Sequence, residues 1–224
     1  MRARAMLAIA PMILVCTWAV DVAGQSLLRE EGQSGVSAAS TFFASTHVKG
    51  LRAEAGWNGW GRLDVVAGYA QTNFDPLTWT TAALTEHQIG LRVSGLPIRQ
   101  SASIPLSVQL GVGYSLLVYS GEAFTGLDAD GDAPMAQIAV AHRFELGTDL
   151  AFVPAVGFQY SHGEFTIEAE GEEVGRDETY ARVWSCALNL VSHGDVYLTP
   201  RVDLSDGDTA VYSLTAGFLF PRRP

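Results

Sequence analysis

The sequence predicts an all-β chain, an antiparallel up-and-down β-barrel that crosses a membrane with its strands, and three observations carry that fold class. Period-two alternation recurs along the chain with Gly, Asn and Asp between segments, while helix periodicity is absent after residue 24. The face opposite the apolar one is small and uncharged, whereas a sheet facing water would show Lys, Glu and Thr there. Connections alternate short and long, as they do when strands cross a bilayer with tight turns on one side and loops on the other.

The first 24 residues are read as a leader: Arg2 and Arg4 precede an apolar run from Ala5 to Val20, and Pro11 interrupts it. This run of 16 residues is shorter than the roughly 20 a spanning helix needs. Cleavage is predicted after Gly24, with Val22 and Gly24 at the small-residue positions. A lipoprotein site at Cys16 is disfavoured by Val15, which stands where a small residue is needed. Residues 25–35 form a short N-terminal segment, residues 36–220 the barrel and residues 221–224 a tail.

Ten strands are predicted, at 36–45, 50–56, 60–71, 82–94, 103–119, 135–145, 150–163, 178–191, 196–204 and 210–220. Eight is the alternative if 36–45 is not a strand, since a closed barrel with both termini on one side needs an even count. The fifth segment decides the reading. Ile104, Leu106, Val108, Leu110, Val112, Tyr114, Leu116 and Val118 form one apolar face, and Ser107, Gln109, Gly111, Gly113 and Ser115 the other. Phe152, Val156, Phe158 and Tyr160 against Ala155, Gly157, Gln159 and Ser161 repeat the division. Trp57-Asn58-Gly59, Leu146-Gly147-Thr148 and Ser192-His193-Gly194 read as tight turns, and 72–81, 120–134 and 164–177 as loops. The connection at 95–102 is long for the turn side. Pro105, Pro154 and Pro200, spaced by 49 and 46 residues, each fall near a strand start, where a missing donor is tolerated.

A net charge of −10 over 224 residues argues against nucleic acid as a partner. Acidic residues gather in the predicted loops: Glu122 with Asp128, Asp130 and Asp132, then Glu164 to Glu178, then Asp206 and Asp208. Outside the leader only Cys186 remains, so no disulfide framework exists. It shares parity with Trp184, Leu188 and Leu190 on an outward row facing lipid.

These residues resemble the small outer-membrane β-barrel proteins of Gram-negative bacteria, of the OmpA and OmpX type. The likeness covers the whole mature chain by pattern. Its most specific part is Tyr212, Leu214, Ala216, Phe218 and Phe220, which looks like the terminal strand that the barrel-assembly machinery recognises in that family. Pro221-Arg222-Arg223-Pro224 after the last Phe departs from it. The resemblance implies Sec-type export, signal cleavage, residence in the outer membrane with both termini in the periplasm, and contact with lipopolysaccharide. It implies a structural or surface-interaction role without a cofactor. The rival classes are a narrow or gated channel, a barrel enzyme acting on lipid or peptide, and a soluble secreted ligand-binding barrel with its faces reversed.

Inward parity selects ten charged residues: Arg52, Glu54, Arg62, Asp64, Glu86, Arg92, Arg143, Glu145, Arg201 and Asp203. A three-residue turn ending in a left-handed Gly59 pairs Gly56 with Trp60, and so sets Glu54 against Arg62 and Arg52 against Asp64 as a charge ladder. Opposite charges in so narrow a lumen neutralise one another and leave no wide pore. Asp128, Asp130 and Asp132 invite a divalent-cation reading, but glycine comes fourth rather than sixth and Ala139 stands where the bidentate Glu of a calcium loop belongs. His87, His142 and His162 point outward by parity, and His47 and His193 lie in connections. Ser161-His162 and Ser192-His193 cannot pair as nucleophile and base, because neighbours on a strand point to opposite faces. Trp57, Trp60, Trp184, Tyr69, Tyr119 and Tyr180 fall near strand ends, where aromatic rings form interfacial girdles.

Overall fold

The computed structural model describes residues 25–29, 32–75, 84–121, 126–192, 196–205 and 210–221. One helical turn, α1 (Gln25–Leu28), precedes ten strands: β1 (Gly35–Ala44), β2 (Val48–Gly59), β3 (Leu63–Phe74), β4 (Leu84–Ile98), β5 (Ser107–Gly121), β6 (Asp128–Ala141), β7 (Leu150–Ala169), β8 (Glu172–Ser192), β9 (Val196–Ser205) and β10 (Ala210–Pro221). Phe144 and Glu145 add a two-residue ladder that continues β6 against β7. Each strand pairs antiparallel with the next, and β1 pairs with β10, so the sheet closes on itself. Segment 36–45 is therefore the strand that joins the first and last hairpins, and the count is ten rather than eight. The leader at 1–24, the turn at 193–195 and the tail beyond 221 lie outside the described residues.

The faces follow parity. Along β8, Ala181, Val183, Ser185, Ala187, Asn189 and Val191 are buried, while Trp184, Cys186, Leu188 and Leu190 are exposed. The outer wall carries Val36, Phe42, Leu51, Ile89, Leu91, Val112, Leu116, Val156, Leu214 and Phe218, all more than a third exposed. A wall of this kind is soluble only in lipid. Among the described residues no helix is long and apolar enough to cross a membrane, so strands carry the crossing.

Two predicted loops are largely strand. β6 begins at Asp128, and β7 runs to Ala169 before a two-residue turn, Glu170-Gly171, at φ 54° and 83°. Positive φ at both turn residues matches the twist of the flanking strands, so the hairpin continues through sequence whose charge suggested a loop. β7 and β8 reach 20 and 21 residues, about twice the 9–11 that span a bilayer.

The first hairpin also differs from expectation. Its left-handed residues are Trp60 and Gly61, at φ 54° and 65°, and Arg62 N–H donates to Gly59 O at 2.9 Å. Asn58 holds this turn from inside: Gly61 N–H donates to Asn58 Oδ1 (3.1 Å), and Asn58 Nδ2 donates to Leu63 O (3.2 Å). The strands thus continue past Trp57, and Glu54 lies opposite Gly68 and Arg52 opposite Ala70. The predicted pairs Glu54–Arg62 and Arg52–Asp64 are not formed.

Pro200 interrupts the β8–β9 pairing between the pair Leu198 with Leu190 and the pair Arg201 with Ala187, while Pro154, opposite Leu188, turns its backbone polar edge to the end of β6, where its carbonyl accepts from His142 N–H. The neighbouring Asn189 bridges the gap with its side chain. Its Nδ2 donates to Val153 O at 2.7 Å and its Oδ1 accepts from Thr199 Oγ1 at 2.7 Å.

Candidate functional site

The lumen is layered. At the distal end, away from the termini, Phe43, Val48, Phe74, Leu84, Leu117, Tyr119, Phe165, Ile167 and Val211 close into one apolar cluster. At the terminal end a second cluster gathers Leu96, Val153, Val191, Tyr197 and Leu219 around Leu27 and Leu28. A polar belt lies between them. Lumen-facing glycines let large side chains reach across: a Cβ on Gly217 would lie 2.4 Å from the Tyr197 ring, one on Gly50 2.3 Å from the Phe43 ring, and one on Gly111 2.7 Å from Gln137 Nε2. The interior is thus packed by its own side chains, as expected of a barrel this narrow.

Of the ten charged residues predicted to face inward, Arg52, Asp64, Glu86, Arg92, Arg201 and Asp203 are buried there. Arg201 grips Asp203 through two bonds, Nε to Oδ1 and Nη2 to Oδ2, both 2.7 Å, and Ser185 Oγ donates to the same carboxylate. Arg52, buried in the same belt, feels the charges of Glu54, Arg92, Arg201 and Asp203. Glu54 is half-buried over Gly68. Glu86 sits beside Tyr119, against the distal apolar cluster. Arg62 is exposed on the turn. Arg143 and Glu145 pair with each other at the terminal rim, Nε to Oε1 at 2.5 Å, instead of entering the lumen.

The start of the N-terminal segment, residues 25–29, enters the barrel mouth on the side of the termini. Ser26, Leu28 and Arg29 are at most 1% exposed. Asp64, itself fully buried, accepts from Ser26 N–H (3.0 Å), Ser26 Oγ–H (2.7 Å), Asn58 Nδ2 (2.6 Å) and Gln109 Nε2 (2.9 Å). Arg143 Nη1 donates to Leu28 O (2.8 Å), Arg99 Nη2 to Arg29 O, and Arg29 Nη2 to Val36 O (2.8 Å). The signal in the sequence was the pair Leu27-Leu28, apolar neighbours in a segment read only as a short lead into the first strand.

On the outer wall, Trp57, Trp60, Tyr69, Trp184 and Tyr180 are exposed; Trp57 and Trp60 sit at the end of β2 and its turn, whereas Tyr69, Tyr180 and Trp184 lie within their strands. Tyr119 is not part of that set: it is 5% exposed, points into the lumen and packs edge-on against Phe165 at 4.9 Å. His87 accepts or donates at Tyr69 OH (2.7 Å), and His162 stacks on Tyr180 at 4.5 Å, both outside the barrel. Tyr212, Leu214, Ala216, Phe218 and Phe220 all face outward on β10, whose other edge pairs with β1.

The acidic residues of the distal end form a row on strands rather than a ring in a loop. Asp128, Asp130 and Asp132 point outward from β6, with Asp128 opposite Glu168 and Asp132 opposite Glu164. Period two places such carboxylates nearly 7 Å apart along one face, too far to enclose a single ion. Among the described residues no three His, Cys, Asp or Glu side chains gather as a metal site. Arg176 pairs with Glu164, Tyr114 OH donates to Asp132, and His162 Nε2 approaches Glu178 at 3.7 Å.

No protein-family model matches the sequence, and no curated protein sequence matches it. Solved structures similar to the chain include outer-membrane β-barrels. The translocator domain of the autotransporter NalP from Neisseria meningitidis is 12% identical, with 97% of each chain covered and a TM-score of 0.54. The N-terminal barrel of Pseudomonas aeruginosa OprF is 10% identical over 86% of this chain and 100% of that one, at a TM-score of 0.39. Ail, the attachment invasion locus protein of Yersinia pestis, is 11% identical over 86% and 100%, at 0.34. The fold is thus that of a transmembrane up-and-down β-barrel, here with ten strands.

Proposed function

We propose that this chain is a non-enzymatic, non-conducting outer-membrane protein, exported with cleavage after Gly24, whose sealed barrel carries an acidic β-blade outside the cell for surface interaction. The observation that carries the reading is the unequal height of the wall. β8 pairs with β9 only as far as Val183 and Ser205, so among the described residues 172–182 have no strand on that side. An exposed edge presents a row of unpaired N–H and C=O groups, a template for an added strand. Glu172, Glu173, Asp177 and Glu178 lie along it. They repel a second copy of the same edge and favour an extended segment bearing Lys or Arg.

The lumen supports the passive part of the reading, since two apolar layers bound its polar belt. The acidic row on β6 and β7 suits diffuse attraction of divalent cations at the lipopolysaccharide surface. Two measurements test the proposal. Purified protein in planar bilayers should give no discrete conductance steps, and steps would make it a channel. Extended peptides rich in lysine should bind whole cells expressing the protein and lose binding when Arg176 and Tyr180, whose N–H groups point away from β7, are replaced by proline; binding unaffected by those changes would refute the edge as the contact.

A further inference from the structure

One turn of helix has no stability of its own, so the form and place of α1 come from what surrounds it. The surroundings address mainly the peptide backbone: Asp64 takes the Ser26 N–H, and Arg143 and Arg99 donate to the carbonyls of Leu28 and Arg29. Side-chain recognition adds the Ser26 hydroxyl, held by Asp64 and Gln109, the two leucines in the apolar cluster, and the Arg29 guanidinium. Gly35 makes room for that guanidinium, because a Cβ there would lie 2.8 Å from Arg29 Nη1. The fit is incomplete on one side. A cavity of about 360 Å³ stays open beside Leu27, lined among others by Leu96, Arg99, Gln100, Ser107 and Arg143.

We propose that this mouth is a peptide-binding site and that Gln25–Arg29 is its own tethered ligand. The class of ligand is a short peptide with a hydroxyl residue, two apolar residues and then a basic one, bound chiefly through its main chain. The space beside Leu27, walled largely by polar side chains, admits a longer side chain than the tethered segment supplies, one with an apolar stem and a polar end. Tethering gives the segment an effective concentration in the millimolar range, so a free peptide competes only once the tethered copy is weakened.

The experiment uses the full chain in detergent, with both native cysteines changed to serine and Ser94→Cys as reporter, since Ser94 is 2% exposed and accepts from Gln109 Nε2 at 3.2 Å in the seat. A charged methanethiosulfonate should label this thiol slowly. With Leu27→Asp and Leu28→Asp together the segment should leave the apolar cluster, and labelling should accelerate by about tenfold or more, the factor tracking the open fraction. A synthetic peptide of residues 25–33, at millimolar concentration, should then slow labelling again, and a scrambled peptide should not. Heat-modifiable migration shows which variants are folded; if the double variant is not, Leu28→Asp alone carries the same expectations. Labelling that the substitutions leave unchanged would overturn the proposal. So would fast labelling that the peptide fails to slow, because the segment would then be a built-in part of the wall and not a ligand.

Discussion

Removing one partner of the Arg201–Asp203 pair should destabilise the barrel unequally, and the sign of the inequality follows from the belt. Asp203 receives three hydrogen bonds, two from Arg201 and one from Ser185, and both charged side chains are at most 7% exposed. Breaking such a pair leaves a buried uncompensated charge, at a cost of about 3–5 kcal/mol. After Asp203→Leu, Arg201 stays buried beside the like charge of Arg52 with its hydrogen-bonded carboxylate partner gone, so the upper end of that range is expected. After Arg201→Met, Asp203 keeps its bond from Ser185 and stays near Arg52, so about 2–3 kcal/mol is expected from the hydrogen bonds lost. The double substitution removes both charges and should cost less than Asp203→Leu alone. A difference of roughly 2 kcal/mol between the singles corresponds to about 4–8 °C by the scaling of domains of this size. The assay is the temperature at which the fast-migrating folded band converts to the slow one, checked by urea titration in lipid vesicles. Equal costs, or a larger cost for Arg201→Met, would refute the belt's arrangement of charge.

Gly217→Ala should cost about 1–3 kcal/mol in the same titration, because the new methyl meets the rigid Tyr197 ring, whereas Gly111→Ala meets the flexible Gln137 side chain from its Cγ outward and should cost less than Gly217→Ala. The exposed Cys186 thiol should react with a membrane-permeant maleimide and resist a charged reagent in intact membranes; equal labelling would place it in water. A protease specific for Glu, added to whole cells, should nick the β7–β8 hairpin near Glu170 and Glu172, while cleavage only in the opposite turns would reverse the orientation.

Parity made most of the fold legible. Alternation in 104–118 assigned the faces of β5 before any register was known, and ten segments in sequence became ten strands. The same rule applied to Tyr119 would have turned it inward, since it is odd where the outward residues of that segment are even; proximity to a strand end misassigned it. Register was less legible. The first hairpin depends on Asn58 reaching the turn from inside, a tertiary contact that no local turn rule contains, and continuing the strands changes partners without changing faces. Strand length was obscured for a different reason: charge at 128–132 and 164–178 reads as loop by composition, yet a β-sheet standing clear of the bilayer is wetted on its outer face and carries charge there. The terminal plug was hidden because its contacts are to Asp64, Arg99 and Arg143, residues remote in sequence that parity had already assigned to the lumen or left in connections.

The arrangement of the lumen follows from the solvent of the outer wall. Apolar residues that face lipid are as well solvated before strand packing as after it, so they hold the barrel in the bilayer without favouring one internal arrangement over another. Specificity must then come from inside. A lumen of polar residues alone would be wet and loosely specified, and an apolar one alone would offer no fixed orientation to the side chains that cross it. This barrel places apolar layers at its two mouths, where water would otherwise enter, and its charged network between them, where the bonds of Arg201, Asp203 and Ser185 are shielded. Among the described residues the buried side chains of the distal layer all come from strands. The terminal layer borrows Leu27 and Leu28 from outside the sheet, and it is therefore the seal that can be exchanged without breaking a strand pair.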